Sequence, residues 1–139
     1  MYRGSCLCQG IKVEISGTIS SVIYCHCSRC RKTSGSAFAT NGYVNKSDFT
    51  IVSGEELLGC YETSNGKQRY FCSVCASPIY SANLKDDTRY RLRLGILDDE
   101  IFEKPECHNF VSSKACWHAI ESNLPQNKTY EPGRDLSKQ

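Results

Sequence analysis

Hydrophobic and polar residues alternate along much of this chain with the two-residue period of a β-strand. Ile11, Val13 and Ile15 alternate with Lys12 and Glu14, which gives the segment one apolar and one polar face, as in a half-buried strand. Further short segments of strand-like composition end at residues typical of turns. They are residues 20–24, 37–44, 49–52, 57–63, 67–72, 78–84 and 107–112. The pattern predicts a mainly β protein.

A β-hairpin is predicted where residues 57–63 and 67–72 flank Asn65-Gly66, because Asn-Gly favours a tight hairpin turn. The clearest alternation in the chain follows it, between four apolar residues and three arginines. These are Tyr90, Leu92, Leu94 and Ile96 on one face and Arg89, Arg91 and Arg93 on the other. We predict a solvated sheet surface for the arginine face, in preference to an anion site.

The domain organisation is predicted to be simple, because 139 residues are the usual length of one domain. We assign residues 1–125 to a single domain. Residues 126–139 are polar and contain Pro132 and Gly133, so we expect a C-terminal tail that forms surface loop or is disordered. Residues 114–123 are the only segment predicted to form a helix.

Composition limits the classes of partner. Hydrophobic residues make up 40% and charged residues 23% of the chain, as in ordinary globular proteins. The net charge is only +2 and the basic residues are scattered, so neither a nucleic acid nor a membrane is expected as a partner. No apolar stretch of the length that an export signal or a membrane span needs is visible. We therefore expect a cytoplasmic protein in a reducing compartment.

Seven of the ten cysteines fall into three tight clusters. The clusters are Cys6-x-Cys8, Cys25-x-Cys27-x-x-Cys30 and Cys72-x-x-Cys75. In a reducing compartment such clusters are more often metal ligands than disulfides. Five disulfide bridges are the alternative, but a Cys-x-Cys bridge would close a very small, strained ring. The spacing therefore favours bound metal.

The number of clustered cysteines suggests two kinds of zinc site. Four thiolates close a tetrahedral zinc shell and hold structure, whereas three thiolates leave one position open for chemistry. The three-cysteine cluster can hold a zinc alone, and the other two pairs could join on a second zinc. That pairing follows from counting ligands, and the spacing by itself leaves it open.

Six cysteine and histidine residues lie outside this assignment. The three cysteines are predicted to be small buried apolar groups, and the three histidines to have structural or surface roles. They are Cys60, Cys107, Cys116, His26, His108 and His118. For His108, which follows a cysteine, a role as metal ligand or proton donor stays open.

With its clusters placed, the chain resembles the family of glutathione-dependent formaldehyde-activating enzymes and the related centromere protein V domain. The resemblance extends from about Gly4 to about Pro125. Four motifs carry it: Gly4-Ser-Cys-Leu-Cys-Gln-Gly10, Cys25-His-Cys-Ser-Arg-Cys-Arg-Lys-Thr-Ser-Gly35, Arg69-Tyr-Phe-Cys-Ser-Val-Cys-Ala-Ser-Pro-Ile79 and His108-Asn-Phe-Val-Ser-Ser-Lys-Ala-Cys-Trp117. The chain departs from the family pattern at Ala76, where glycine is usual, and at Cys116, where proline is common.

The resemblance implies a fold, two metal sites and a reaction. The fold is a twisted antiparallel β-sheet sandwich of the β-tent type that zinc staples together. Two Zn²⁺ per chain are implied, a structural one on Cys6, Cys8, Cys72 and Cys75 and a functional, catalytic one on Cys25, Cys27 and Cys30. The implied reaction is of the carbon–sulfur lyase type and joins glutathione, or another thiol, to a small aldehyde such as formaldehyde.

A second interpretation belongs to a different functional class. The centromere-associated relatives suggest a zinc-stabilised binding module without catalysis. Those relatives carry basic or proline-rich arms, and this sequence contains none, so we favour the enzyme. The sequence leaves open whether the protein forms a homodimer.

Overall fold

The structure is a computed structural model that describes all 139 residues. Ten strands and one α-helix make up its regular elements. In chain order they are β1 (Tyr2–Ser5), β2 (Lys12–Ile15), β3 (Ser20–Cys25), α1 (Ser28–Ser34), β4 (Ala39–Asn45), β5 (Phe49–Ser53), β6 (Leu58–Glu62), β7 (Lys67–Cys72), β8 (Pro78–Asn83), β9 (Asp86–Arg93) and β10 (Cys107–Asn109). No helix has the length and apolar composition required to cross a membrane.

The strands form two sheets. A small sheet has the order β1-β2-β5, and a seven-stranded sheet has the order β10-β3-β4-β9-β8-β7-β6. All neighbours are antiparallel except β10 and β3, which are parallel. The predicted mainly β fold class is confirmed.

The core lies where the apolar faces of the two sheets meet. Ile11, Val13 and Ile15 of the β2 region are at most 1% exposed and share one cluster with Ile79 of β8 and Leu92 of β9. Each such side chain contributes about 1.5–3 kcal/mol when it is fully buried. The alternation read from the sequence therefore marks the face that joins the sheets.

The predicted hairpin is confirmed as β6 and β7, with Leu58 opposite Cys72 in the register. In its turn, the Gly66 N–H donates to the Thr63 carbonyl at 3.0 Å. Gly66 has a φ of 79°, a left-handed conformation that glycine adopts without steric cost. The hairpin places Cys72 at the last position of β7.

The helix prediction is wrong in position. Residues 114–123 form no helix, and in this segment a single turn bond joins the His118 N–H to the Ala115 carbonyl. Ala115 is the only residue of the segment that is fully buried, so the segment has no continuous apolar face to stabilise a helix. The α-helix is α1 instead, within the cysteine segment that we expected to form a turn.

The C-terminal segment, residues 126–139, begins alongside β10 and ends beside β8. The Asn127 N–H donates to the His108 carbonyl at 2.8 Å, and the Phe110 N–H donates to the Thr129 carbonyl at 2.9 Å. The chain then continues to a final 3₁₀ turn over Leu136–Lys138. This C-terminal segment forms one wall of the cavity described below.

Candidate metal centres and the adjoining cavity

Four cysteines from distant parts of the sequence converge beside the core. Cys6 and Cys8 lie between β1 and β2, Cys72 ends β7, and Cys75 lies in the turn before β8. Their sulfur atoms all lie within 4.8 Å of one another. The Sγ of Cys8 is 3.5 Å from that of Cys6 and 3.8 Å from that of Cys72, close to the sulfur–sulfur edge of about 3.8 Å in a tetrahedral Zn–S₄ centre. This four-cysteine group connects the two sheets.

Two tight turns present these sulfurs. The Gln9 N–H donates to the Cys6 carbonyl, and the Ala76 N–H donates to the Cys72 carbonyl, both at 2.8 Å. Gln9 has a φ of 61° and Ala76 a φ of 63°. A left-handed alanine costs roughly 1–2 kcal/mol relative to the right-handed region, which explains why glycine suits position 76. The turn keeps its shape with alanine.

The second group gathers Cys25, Cys27 and Cys30, whose sulfur atoms also lie within 4.8 Å of one another. Cys25 is the last residue of β3, Cys27 is the N-cap of α1, and Cys30 lies in its first turn. The Cys30 N–H donates to the Cys27 sulfur at 3.4 Å. The first turn of α1 therefore fixes two sulfurs, and the end of β3 supplies the third.

Hydrogen bonding within the group shifts the pKa values of Cys25 and Cys27 in opposite directions. Hydrogen bonds from Cys25 and Cys30 lower the pKa of Cys27 to about 2, and the hydrogen bond to Cys27 contributes most to raising the pKa of Cys25. Negative charge is therefore most readily held on the Cys27 sulfur. A cation bound among the three sulfurs would favour ionisation of the Cys25 thiol as well.

Both groups could hold metal ions. All ten cysteines are free, so the structure contains none of the five disulfide bridges of the alternative interpretation. A soft, all-sulfur donor set without carboxylate or imidazole is typical of zinc. The residues present thus fit zinc, with four donors in one group and three in the other.

The three-cysteine group lies in the wall of a cavity of about 460 Å³, a volume within the range of small-molecule sites. Arg89, Arg91 and Arg93 also line it, and Arg93 is only 8% exposed. The predicted solvated arginine face is therefore wrong at Arg93, whereas Arg89 and Arg91 are half-buried. The alternation gave the correct strand but could not show that Tyr130 and Arg134 of the C-terminal segment border the space beside this face.

The histidines lie outside both sulfur groups. His26 is fully buried, and its Nε2 is 2.8 Å from Nδ1 of His108, whose Nε2 is 2.7 Å from Oγ of Ser122. Burial, and then the neighbouring His108, lower the pKa of His26 to about 4. These contacts tie β3 to β10 and to the segment that follows β10.

The unclustered cysteines differ from one another. Cys107 is buried among Ile23, Cys25 and Cys30, as predicted. Cys60 and Cys116 are exposed, so their predicted burial is wrong. Cys60 lies on β6, the edge strand of the large sheet, and Cys116 lies in the irregular segment after β10. A lone cysteine in a β-rich sequence gives no signal of which face it occupies.

We expect two zinc ions per chain in protein purified without chelators, because the two groups offer separate donor sets. Elemental analysis after zinc supplementation measures this number. One zinc or fewer per chain would contradict a metal site on the three-cysteine group. Iron in place of zinc would overturn the identity of the metal.

Comparison with known proteins gives one family over most of the chain. The family model for the glutathione-dependent formaldehyde-activating enzyme matches residues 1–113. A Rhodobacter sphaeroides protein of known crystal structure is similar in fold, with a TM-score of 0.61 and 22% identity, over 71% of this chain and 90% of that one.

Two curated relatives illustrate the sequence similarity. A Podospora anserina protein with the name "Putative glutathione-dependent formaldehyde-activating enzyme" is 29% identical over 113 residues, which are 78% of this chain and 53% of the relative. An uncharacterized lyase of Schizosaccharomyces pombe is 26% identical over 130 residues, which are 86% of this chain and 93% of the relative. The chain thus spans about half the length of the first relative and nearly all of the second.

Proposed function

The chain belongs to the glutathione-dependent formaldehyde-activating enzyme family, and from this premise we propose that it is a zinc-dependent enzyme of the carbon–sulfur lyase type. Its substrates would be a thiol such as glutathione and a small aldehyde such as formaldehyde. The observation that carries the proposal is the position of the three-cysteine group, whose members all line the cavity. A thiol in the cavity would have direct access to the site.

The two groups would have different roles. In this proposal Cys6, Cys8, Cys72 and Cys75 hold a structural zinc, and Cys25, Cys27 and Cys30 hold a functional one. Zinc with three protein thiolates supplies a fourth position for an external thiol and favours the thiolate form, which is the nucleophile.

The residues of the cavity would bind and orient the thiol against the aldehyde. A bond forms between the thiolate sulfur and the carbonyl carbon, the π electron pair moves to the oxygen, and that oxygen takes a proton from water. The guanidinium groups of Arg91 and Arg93 line the same space. Positive charge fixed in a partly dehydrated site favours both the thiolate and the developing alkoxide.

Cobalt substitution tests thiol binding at the three-cysteine group. Glutathione added to the cobalt-loaded protein is expected to increase the sulfur-to-cobalt charge-transfer absorption, because coordination would change from three sulfurs to four. S-methylglutathione is the control, since its sulfur cannot become a thiolate. The same protein is expected to accelerate exchange between formaldehyde and its glutathione adduct, measured by NMR.

Two outcomes would count against the enzyme. If millimolar glutathione causes neither a spectral change nor acceleration, a zinc-stabilised binding module without catalysis becomes the better interpretation. If the spectrum changes but exchange is not accelerated, the site binds thiols and formaldehyde is not its substrate.

A further inference from the structure

The cavity beside the three-cysteine group is strongly basic, although the whole chain is nearly neutral. Eight basic side chains line it: Arg29, Lys67, Arg69, Arg89, Arg91, Arg93, Arg134 and Lys138. The only acidic side chain in the lining is Asp86. Its carboxylate already accepts hydrogen bonds from Arg89, at 2.7 and 3.0 Å, and from Thr88. The cavity therefore holds excess positive charge.

Arg91 and Arg93 carry the unpaired part of that charge. Neither is among the three ion pairs of the protein. Arg93 has only the Arg91 carbonyl and Ser81 Oγ as acceptors, both at 3.5 Å. Arg91 packs over the ring of Tyr43 at 4.0 Å, and its Nη1 is buried without a hydrogen-bond partner. Burial lowers the pKa of both groups, that of Arg93 to about 10.

Arg93 is buried and Arg91 is half-buried with a buried Nη1. Guanidinium groups in such positions without a carboxylate are costly, because dehydration of a charge is repaid only by a partner of opposite sign. A zinc ion held by the three cysteines would supply part of the compensation, since three thiolates around Zn²⁺ have a net charge of −1. Arg69 and Lys67 contact only neutral oxygens, on Thr33 and Gln139, at 3.5 Å. Most of the excess charge is thus available to a bound molecule.

The wall opposite β9 comes from the C-terminal segment. Arg134 donates to Glu131 at 2.7 and 2.8 Å and lies over the rings of Tyr43 and Tyr130. Tyr130, Glu131 and Arg134 follow residue 113, where the family match ends. This wall is therefore a feature of this chain beyond the part that the family match covers.

We propose that this cavity binds the anionic groups of a polyanionic thiol, with Arg91 and Arg93 as the principal partners of at least two carboxylates or equivalent anionic oxygens. An ammonium group on the ligand is not required, because Asp86, the only acidic side chain in the lining, is already paired with Arg89. The lining also contains one buried acceptor that has no hydrogen-bond partner, the Oδ1 atom of Asn41. This neutral oxygen could accept a hydrogen bond from an amide N–H of the ligand. The proposal rests on the proposed function, since it specifies the thiol for the same site.

Calorimetry on the zinc-loaded, full-length chain tests the ligand class. S-methylglutathione is the probe, because its binding does not depend on thiolate coordination. We expect its diethyl ester, in which both carboxylates are neutral, to bind at least about tenfold more weakly, a difference of about 1.4 kcal/mol. We expect N-acetylation, which removes the ammonium charge, to leave the affinity equal or higher. Equal affinity for the diester, weaker binding after N-acetylation or no binding of the probe would overturn the proposal.

Variants test the residues. Arg91→Gln and Arg93→Gln should each reduce the affinity for S-methylglutathione about tenfold, with two zinc ions retained and the Tm unchanged or higher, because an unpaired buried charge is removed. The control is Arg3→Gln, at an exposed arginine that pairs with Asp99 outside the cavity, and it should not alter the affinity. Arg69→Gln provides the test if either of these two variants fails to fold.

The outcomes separate this proposal from the proposed function. Variants that lose zinc but bind the probe normally would show that the arginines only compensate the charge of the sulfur group, and the subsite would be wrong. Binding of S-methylglutathione that depends on Arg91 and Arg93, without any response of cobalt-loaded protein to glutathione, would support the subsite. The same result would count against the proposed chemistry.

Discussion

Cys72→Ser is expected to remove one zinc ion per chain and to destabilise the fold severely. Cys72 is fully buried in the main core cluster, and its sulfur lies 3.8 Å from that of Cys8 across the two sheets. Structural zinc contributes about 10–16 kcal/mol in small zinc-binding domains, so the loss of one ligand should lower the Tm by more than about 10 °C or prevent folding. Thermal unfolding followed by circular dichroism, together with zinc analysis, measures both effects.

Cys60→Ser is the matched control for this variant. Cys60 lies on β6, adjacent to the strand that carries Cys72, but it is exposed and outside both sulfur groups. Its replacement should change neither the zinc content nor the Tm by more than a few degrees. If Cys72→Ser has two zinc ions and the Tm of the wild type, the structural assignment of the four-cysteine group is wrong.

Cys27→Ser is expected to remove the other zinc and the activity while the fold remains. Cys27 is the N-cap of α1, and serine is among the preferred N-cap residues, so the helix should still begin at this position. Changes in residues that only support a ligand typically cost 10–100-fold in metal affinity or activity, and loss of a ligand should cost at least about 100-fold. Zinc analysis, thermal unfolding and the formaldehyde exchange rate measure the three consequences separately.

Comparison with Cys72→Ser makes this result specific. Both variants should contain one zinc ion, but only Cys72→Ser should lose much of its stability. If Cys27→Ser unfolds as readily as Cys72→Ser, the three-cysteine group would also have a structural role. If Cys27→Ser retains full activity, the reaction does not take place at this group.

Much of the architecture could be predicted from local patterns. The segment from Ile11 to Ile15 alternates with a period of two, and Asn65-Gly66 has the chemistry of a tight turn; both predictions are confirmed. The short spacing within each cysteine cluster likewise indicated which sulfurs would be close together. These signals were sufficient because each depends on a few neighbouring residues and the conformations open to them.

The surroundings of the β9 arginines and the location of the helix depend on the tertiary structure and could not be predicted from local pattern. The alternation of arginines predicts a polar face on β9, but Arg91 and Arg93 line a cavity. The C-terminal segment forms one wall of this cavity only once the chain has folded, when Arg134 lies over the ring of Tyr43. The helix likewise forms at Ser28–Ser34 and not at residues 114–123, because packing selects which weakly amphipathic segment is stabilised.

The sequence by itself determined the β architecture, the hairpin turn and the division of seven cysteines into ligand clusters, since these depend on residue type and spacing. Ligand counting and the family resemblance suggested that Cys6 and Cys8 join Cys72 and Cys75, but only the tertiary structure shows it, because 64 residues separate Cys8 from Cys72 and the packing of the two sheets brings them together. It also decided the charge of the cavity. Folding places Arg91 and Arg93 beside the three-cysteine group without carboxylate partners. No short stretch of the chain encodes that placement or the lack of partners.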